Sequence, residues 1–348
     1  FLRGFAPGQG EPSHSFVIDR DGIYFDAQAT NGLERLLSQP VTEDAALERA
    51  RLLIARLRHE RLSKYNNSPL LSPADAGVPI SRPFVLLVDQ VAGDASIAGA
   101  GAGPESFQTM LERAITDNPG KTIVVRTHPA AGDRSLLQQA ASAIDADIVV
   151  PGRMNPWPLL EAADSVYTVS SQLGFEALMA GRQVHCFGTT YYSGRGLTND
   201  YSVQPANRPP ASLEQVFHAA FLDYSHYLDL HSREPCSLER AVEQAVAVRD
   251  QRMRVDRKVF TAGFSPWKRR AMTPVLKGVS GDPIHKRSLD AAVVAAQAED
   301  GVVAVWGSDR PLPVGVPAIR LEDGFIRSRG LGVALTMPAS IAMDDEHV

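Results

Sequence analysis

Cysteine is scarce: Cys186 and Cys236 are the only two in 348 residues, and they lie far apart. Such a pair builds neither a disulfide framework nor a zinc cluster, so a reducing cytoplasm is the expected setting. No apolar run approaches the roughly 20 residues that a membrane helix needs. An excess of positive charge is also missing. The formal charge is −5, whereas a nucleic-acid-binding domain usually has a strongly basic face, so no nucleic-acid partner is expected. There is no initiator Met and no signal peptide before Phe1, and the chain is expected to be a piece of something longer. What remains is an ordinary globular balance, 44% apolar and 22% charged. The length is too great for one ordinary core, which favours two domains.

The two ends of the chain resemble each other. Phe1, Leu2 and Arg3 match Phe325, Ile326 and Arg327; with one residue of gap, Ser15 and Asp19 match Ser340 and Asp344. An internal repeat nearly as long as the chain is therefore expected. Between the ends, "VTEDAALERARLLIARLRHERL" carries Ala46, Ala50, Leu53, Ile54 and Leu57 at helical spacing, with Thr42 as its expected N-cap. Short apolar strands then alternate with helices: strands are expected at 83–90, 121–128, 146–152, 165–170 and 182–188. Continuously apolar strands of this kind belong to a parallel sheet covered on both faces, whose ligands bind beyond the carboxyl ends of the strands. The polar stretch "AVRDQRMRVDRK" (247–258) reads as a boundary, a solvated helix end or linker. After it, "VFTAGFSPWKRR" reads as a new strand entering a helix at Pro266, and further strands follow at "GVVAVWG" and "AIRLED".

Four strand ends carry polar residues that a core would not choose. Asp89 closes a strand in "VDQVAGDAS" and Asp94 follows Gly93; two carboxylates there suit a nucleophile or a general base, while a capping role for Asp89 stays open. In "RTHP", Arg126 and His128 end a strand that Pro129 stops, and the imidazole can donate to a phosphate oxygen. In "TVSSQLGFEAL", Ser170 and Ser171 can offer hydroxyl and backbone N–H donors at a helix N-terminus, where the dipole favours an anion. Gly174 would allow close approach, Gln172 lies beside the cradle, and Glu176 would reach ribose hydroxyls; an ordinary N-cap is the competing explanation. The loop "CFGTTYYSGRGLTND" reads either as a cover for a base or sugar or as plain surface.

These stretches, with "SKYN" (63–66), "GFSPWKRR" and "LEDGFIRSRGLG", resemble the bacterial capsule polysaccharide biosynthesis family of the KpsC type along nearly the whole chain. The resemblance implies tandem retaining β-Kdo transferase modules of α/β, GT-B-like architecture with Rossmann-type parallel sheets. It implies CMP-Kdo as donor substrate, no cofactor, and a lipid-linked (lyso-phosphatidylglycerol) poly-Kdo acceptor. A cytoplasmic enzyme touching the inner membrane and the capsule export machinery follows from the same likeness. The implied organisation is an end of an acceptor-side region at 1–75, a CMP-sugar-binding domain at 76–250, and the first part of the next acceptor-side domain at 251–348. Arg126, His128, Pro129, Ser170, Ser171, Gln172, Gly174 and Glu176 would then surround the donor. Asp94, with Asp89 as runner-up, would be the nucleophile, and Glu322 and Asp323 an acceptor-side acid pair of the second module. The carboxylates at the first site show no D-x-D arrangement, so metal-independent binding is expected. Arg195 departs from the pattern, which has tryptophan there, and puts acceptor contacts in that loop in doubt. The chain on its own is expected to bind CMP and to transfer little sugar. A non-catalytic glycan holder and another nucleotide-sugar enzyme such as an epimerase are the alternatives.

Overall fold

The computed structural model describes residues 13–128, 131, 134–141, 148–151, 153–307, 311–312, 315–325, 338 and 340–344. The chain divides into two compact units, Phe1–Val246 and Ala247–Val348.

In the first unit a short strand β1 (Ser15–Val17) and helices α1 (Gly32–Ser38) and α2 (Asp44–His59) precede the main sheet. Helix α2 buries Ala50, Leu53, Ile54 and Leu57 as their spacing requires, but its N-cap is Glu43, without a side-chain cap bond, and not Thr42. The sheet comprises β2 (Phe84–Val88), β3 (Thr122–Arg126), β4 (Ile148–Val149), β5 (Ser165–Thr168), β6 (Gln183–Cys186) and β7 (Asn199–Asp200). Helices α3 (Ala95–Gly99) and α4 (Pro104–Asp117) follow β2, α5 (Leu136–Ala141) follows β3, α6 (Trp157–Ala162) follows β4 and α7 (Gln172–Met179) follows β5.

All strand pairs of this sheet are parallel, and the spatial order is β4-β3-β2-β5-β6-β7. That is the doubly wound order of a dinucleotide-type fold, with the chain reversing direction of travel between β2 and β5. Strand β2 shows why its residues are all apolar. Leu86 and Val88 pack into a core with α2, α6 and α7, while Val85 and Leu87 pack against α4 and α5 on the other face. Each such fully buried side chain is worth about 1.5–3 kcal/mol. Past β7 come α8 (Leu213–Phe217), a π-helical turn at His218–Asp223, and strands β8 (Ser225–Leu228) and β9 (Pro235–Cys236). Strands β1, β8 and β9 form a small antiparallel sheet.

Of the stretch 247–258, the residues to Arg254 lie in α9 (Leu238–Arg254), so of the two readings it is a helix end rather than a linker. In the second unit, β10 (Val259–Ala262), β11 (Ile284–Lys286), β12 (Val302–Trp306), β13 (Ala318–Asp323) and β14 (Ile341–Asp344) form a five-stranded sheet of order β11-β10-β12-β13-β14. Its pairs are parallel except β13 with β14. Helix α10 (Pro266–Leu276), capped by Ser265 with Pro266 in its first turn, and α11 (Leu289–Ala298) cover it. Among the described residues no helix is long and apolar enough to cross a membrane.

Candidate functional site

Where the strand order reverses, the loops leaving β2 and β5 diverge and open a crevice. After β2 the chain turns at Gly93, whose φ of 88° lies in the left-handed region open to glycine, and delivers Asp94 as N-cap of α3. Asp94 Oδ1 accepts from the Ser96 N–H at 3.0 Å and from Ser96 Oγ at 2.9 Å. After β5, Ser171 caps α7, its Oγ accepting from the Leu173 N–H at 3.3 Å.

Gln90 joins the two loops, and Ser96 Oγ and Ser170 Oγ also meet directly across them at 3.3 Å. Gln90 is 3% exposed; its Nε2 donates to Ser170 Oγ at 2.9 Å and to Ser96 Oγ at 3.1 Å. The chain Asp94–Ser96–Gln90–Ser170 is thus one continuous hydrogen-bonded wall.

One cavity collects the chemistry. Asp94, His128, Ser170, Ser171 and Gln172, all singled out from the sequence, line it together. So do Gln90, Ser96 and Lys64, and from the other side Tyr24, Phe25, Thr189, Thr190 and Tyr191. The glycine- and tyrosine-rich loop therefore forms a wall of this cavity. It is fastened there: the Tyr191 hydroxyl donates to Gln172 Oε1 at 3.1 Å, and that of Tyr192 to the Ser171 carbonyl at 2.7 Å.

The donors differ from the expected set. The Ser170 N–H is taken by Gln90 Oε1 at 3.0 Å and the Ser171 N–H by Thr168 Oγ1 at 3.2 Å. Neither amide is left for an anion. The lining residues that carry donor side chains are Ser170, Ser171, His128 and Lys64. The N-terminus of α7 adds its dipole, typically 0.3–1 kcal/mol for an anion.

Several expected site residues lie elsewhere. Asp89 is 2% exposed and holds α5 instead: its Oδ2 accepts from Ser135 Oγ at 2.6 Å and its Oδ1 from the Leu137 N–H at 3.0 Å. Burial pushes its pKa up, against the pull of those two donors. Gly174 does not open room for a ligand, because a Cβ there would sit 2.2 Å from Tyr192 Oη and 2.8 Å from Thr168 Cγ2. Its missing side chain makes space for the tyrosine.

Arg126 and Glu176 are both buried behind the cavity wall rather than on it. The Arg126 guanidinium donates to the Thr127 and Met154 carbonyls, lies 4.9 Å from the Tyr65 ring centre, and leaves Nε without a partner. Burial lowers its pKa. Glu176 cannot reach a ribose: it is 3% exposed, its Oε2 has no hydrogen-bond partner, and burial raises its pKa to about 7 against the opposing pull of Ser63, Lys64 and Arg126.

Pro129 lies outside the described residues. Glu322 and Asp323 end β13 in the second unit, Glu322 exposed and Asp323 half-buried, opposite Ala342 and Ile341 of β14. Arg195 is 2% exposed and ties its loop to α1, pairing with Glu34 at 2.7 Å and donating from Nε to the Tyr191 carbonyl at 2.9 Å. Arg208 pairs with the other Glu34 oxygen at 2.7 Å. Arg195 is thus a buried fastening of this wall and does not line the cavity.

The residues that sequence reasoning missed are Gln90 and Lys64. Both stood inside stretches already singled out, "VDQVAGDAS" and "SKYN". Gln90 was overshadowed by its acidic neighbours, and Lys64 is remote in the chain from the cradle it faces.

Comparison with known proteins bears on the family and the fold. The family model described as "Capsule polysaccharide biosynthesis protein" matches residues 1–227. The capsule polysaccharide modification protein LipA of Neisseria meningitidis is 33% identical over 370 residues, an alignment covering 100% of this chain and 52% of that protein. The lipopolysaccharide-processing protein LpsZ of Rhizobium meliloti is 36% identical over 217 residues, covering 61% of this chain and 49% of that one. The chain thus spans about half the length of the curated relatives it matches. Among solved structures, the β-Kdo 2,4 transferase of Thermosulfurimonas dismutans KpsC superposes with a TM-score of 0.66 at 32% identity, over 71% of this chain and 77% of that one. The β-Kdo 2,7 transferase of the same KpsC gives 0.54 at 29% identity, over 68% and 73%. With its parallel sheets, its switch-point cavity and these relatives, the chain belongs to the capsule polysaccharide biosynthesis protein family.

Proposed function

We propose that this chain supplies the sugar-nucleotide side of a retaining β-Kdo glycosyltransferase in capsule biosynthesis, with CMP-Kdo as donor and a lipid-linked poly-Kdo chain as acceptor. The observation that carries this reading is the meeting of Asp94, His128, Ser170, Ser171 and Gln172 on one cavity at the switch point of the first sheet. Hydroxyl and imidazole donors at a helix N-terminus suit the phosphate of a nucleoside monophosphate. The likeness to two Kdo transferase structures supports the sugar.

In this reading Asp94 is the nucleophile. Its Oδ1 is held by Ser96, and among the described residues Oδ2 has no hydrogen-bond partner, so one oxygen is fixed and the other is available. The Oδ2 lone pair attacks the anomeric carbon and forms a C–O bond. The bond from that carbon to the phosphate breaks, and CMP leaves with the electron pair. The acceptor hydroxyl then displaces Asp94, losing its proton to solvent, and the carboxylate is regenerated. Two inversions give net retention. Asp89 does not serve, since both its oxygens are spent on the β3–α5 connection and α5. Glu322 and Asp323 take, in the same reading, the acceptor-side place in the following module.

The test is intact-mass analysis of a module containing this chain after incubation with CMP-Kdo. A Kdo-sized adduct is expected on the wild type and absent from Asp94→Ala. An adduct that survives the substitution moves the nucleophile elsewhere.

A further inference from the structure

The described side chains lining the cavity include one that carries a fixed positive charge, Lys64, and no role has yet been given to it. The segment that presents it is held from several sides. Trp157 Nε1 donates to the Leu62 carbonyl at 2.8 Å, and the Ser63 N–H donates to Asn66 Oδ1 at 2.8 Å. Tyr65 packs edge-on to His128 at 5.8 Å between ring centres and receives the Arg126 guanidinium on its face. The buried Glu176 carboxyl interacts with Ser63, Lys64 and Arg126 from α7, the helix whose cap carries the serines. The position of this ammonium is therefore linked to both other parts of the cradle, His128 and α7.

Among the described residues no carboxylate oxygen lies within salt-bridge distance of Lys64 Nζ, which sits over the Tyr65 ring, 5.1 Å from its centroid. Glu176 balances Arg126 as well as Lys64, so it does not neutralise the ammonium outright. A lysine among the residues lining the cavity suits an anionic ligand. Serine hydroxyls can solvate a phosphate but leave its charge uncompensated.

We propose that Lys64 contacts the phosphate of the bound nucleotide and compensates the negative charge that grows on it when the sugar departs. The inference rests on the nucleotide reading above and names a residue that reading does not include. Lys64 does its work at the phosphate alone: the nucleoside is held by the remaining walls.

The experiment measures binding of CMP, UMP and cytidine to the 348-residue chain by calorimetry, in wild type, Lys64→Met and Lys64→Arg. Methionine keeps the stem against Tyr65 and removes the charge. Lys64→Met is expected to weaken CMP by about 10- to 100-fold, the range for a hydrogen bond to a charged group, and to leave cytidine unchanged. Its affinity for CMP should also fall less steeply with added salt than that of the wild type. Lys64→Arg should recover part of the loss. CMP affinity equal to wild type in a folded Lys64→Met protein overturns the inference, as does an equal loss for cytidine. A wild type that prefers UMP removes the CMP donor, and Lys64 is then judged by the same ratio on UMP. A wild type that binds neither nucleotide overturns both.

Discussion

Gln90 and Ser170 face each other across the switch point, and the amide of one serves both polar atoms of the other: Oε1 accepts the Ser170 N–H at 3.0 Å, and Nε2 donates to its Oγ at 2.9 Å. The pairing holds the serine against Gln90, to whose Oε1 its hydroxyl can also donate at 3.2 Å, and removes the backbone N–H from the list of possible ligands. It explains why a glutamine, and not an apolar residue, stands two positions beyond the hydrophobic strand β2.

Replacing Gln90 by Leu leaves a buried N–H and two hydroxyls without their partner. A loss of about 1–3 kcal/mol in stability is expected, from unsatisfied polar groups, together with weaker CMP binding. Gln90→Glu keeps an acceptor for the N–H but sets a negative charge beside the anion site. It should cost less stability than Leu and at least as much affinity. Thermal melts beside CMP titrations separate the two effects; unchanged affinity in both variants would remove Gln90 from the site.

Asp89 and Asp94 are separated by stability, CMP affinity and formation of the glycosyl adduct. Asp89→Ala strips Ser135 and Leu137 of a buried acceptor and should lower stability by about 1–3 kcal/mol, with CMP affinity within about twofold of wild type. Asp94→Ala should do the reverse for chemistry: a small stability change from a lost cap, and no glycosyl adduct. A stable Asp89→Ala protein that fails to form the adduct would restore Asp89 as the nucleophile.

Gly174 and Tyr192 share one space. A methyl group at 174 meets the tyrosine oxygen at 2.2 Å, and Tyr192 is only 1% exposed, so it has little room to retreat. Gly174→Ala should destabilise by about 1–3 kcal/mol through overpacking, and should loosen the hydroxyl bond to the Ser171 carbonyl. Tyr192→Phe removes the clashing atom. In the double variant the two losses should sum to less than their separate values. Strict additivity in urea unfolding would show that the glycine is there for another reason.

Much of this was written plainly in the chain. Strand β2 is apolar at every position because both its faces are covered, and such a run can be recognised without knowing its partners. Ser171, His128 and Asp94 sit at strand ends, where the fold class alone directs attention. The antiparallel sheet of β1, β8 and β9 was not legible: its strands are two to four residues long, and β1 lies far from β8 in sequence. Arg126 and Glu176 misled for one reason. A charged residue near a site reads as a ligand, and no local pattern tells that α7 is buried on every side, so that its glutamate points into the protein.

That buried glutamate makes stability depend on pH. Glu176 has its folded-state pKa raised to about 7 from 4.5, chiefly by burial. The folded protein then binds this proton more tightly than the unfolded chain, so its contribution is complete below pH about 4.5 and is lost as pH rises through about 7. At 1.36 kcal/mol per pKa unit the change is about 3 kcal/mol. Glu176→Gln abolishes this dependence. The variant also deprives the buried Arg126 of a countercharge, which sets its absolute stability but, because the guanidinium stays charged throughout, not its slope over this range. Chemical unfolding at pH 5 and pH 8 should show the variant gaining on the wild type by about 2–3 kcal/mol between the two. A difference that is the same at both pH values would mean that Glu176 is ionised throughout, and that Lys64 is more fully neutralised from behind than its distance from any carboxylate indicates.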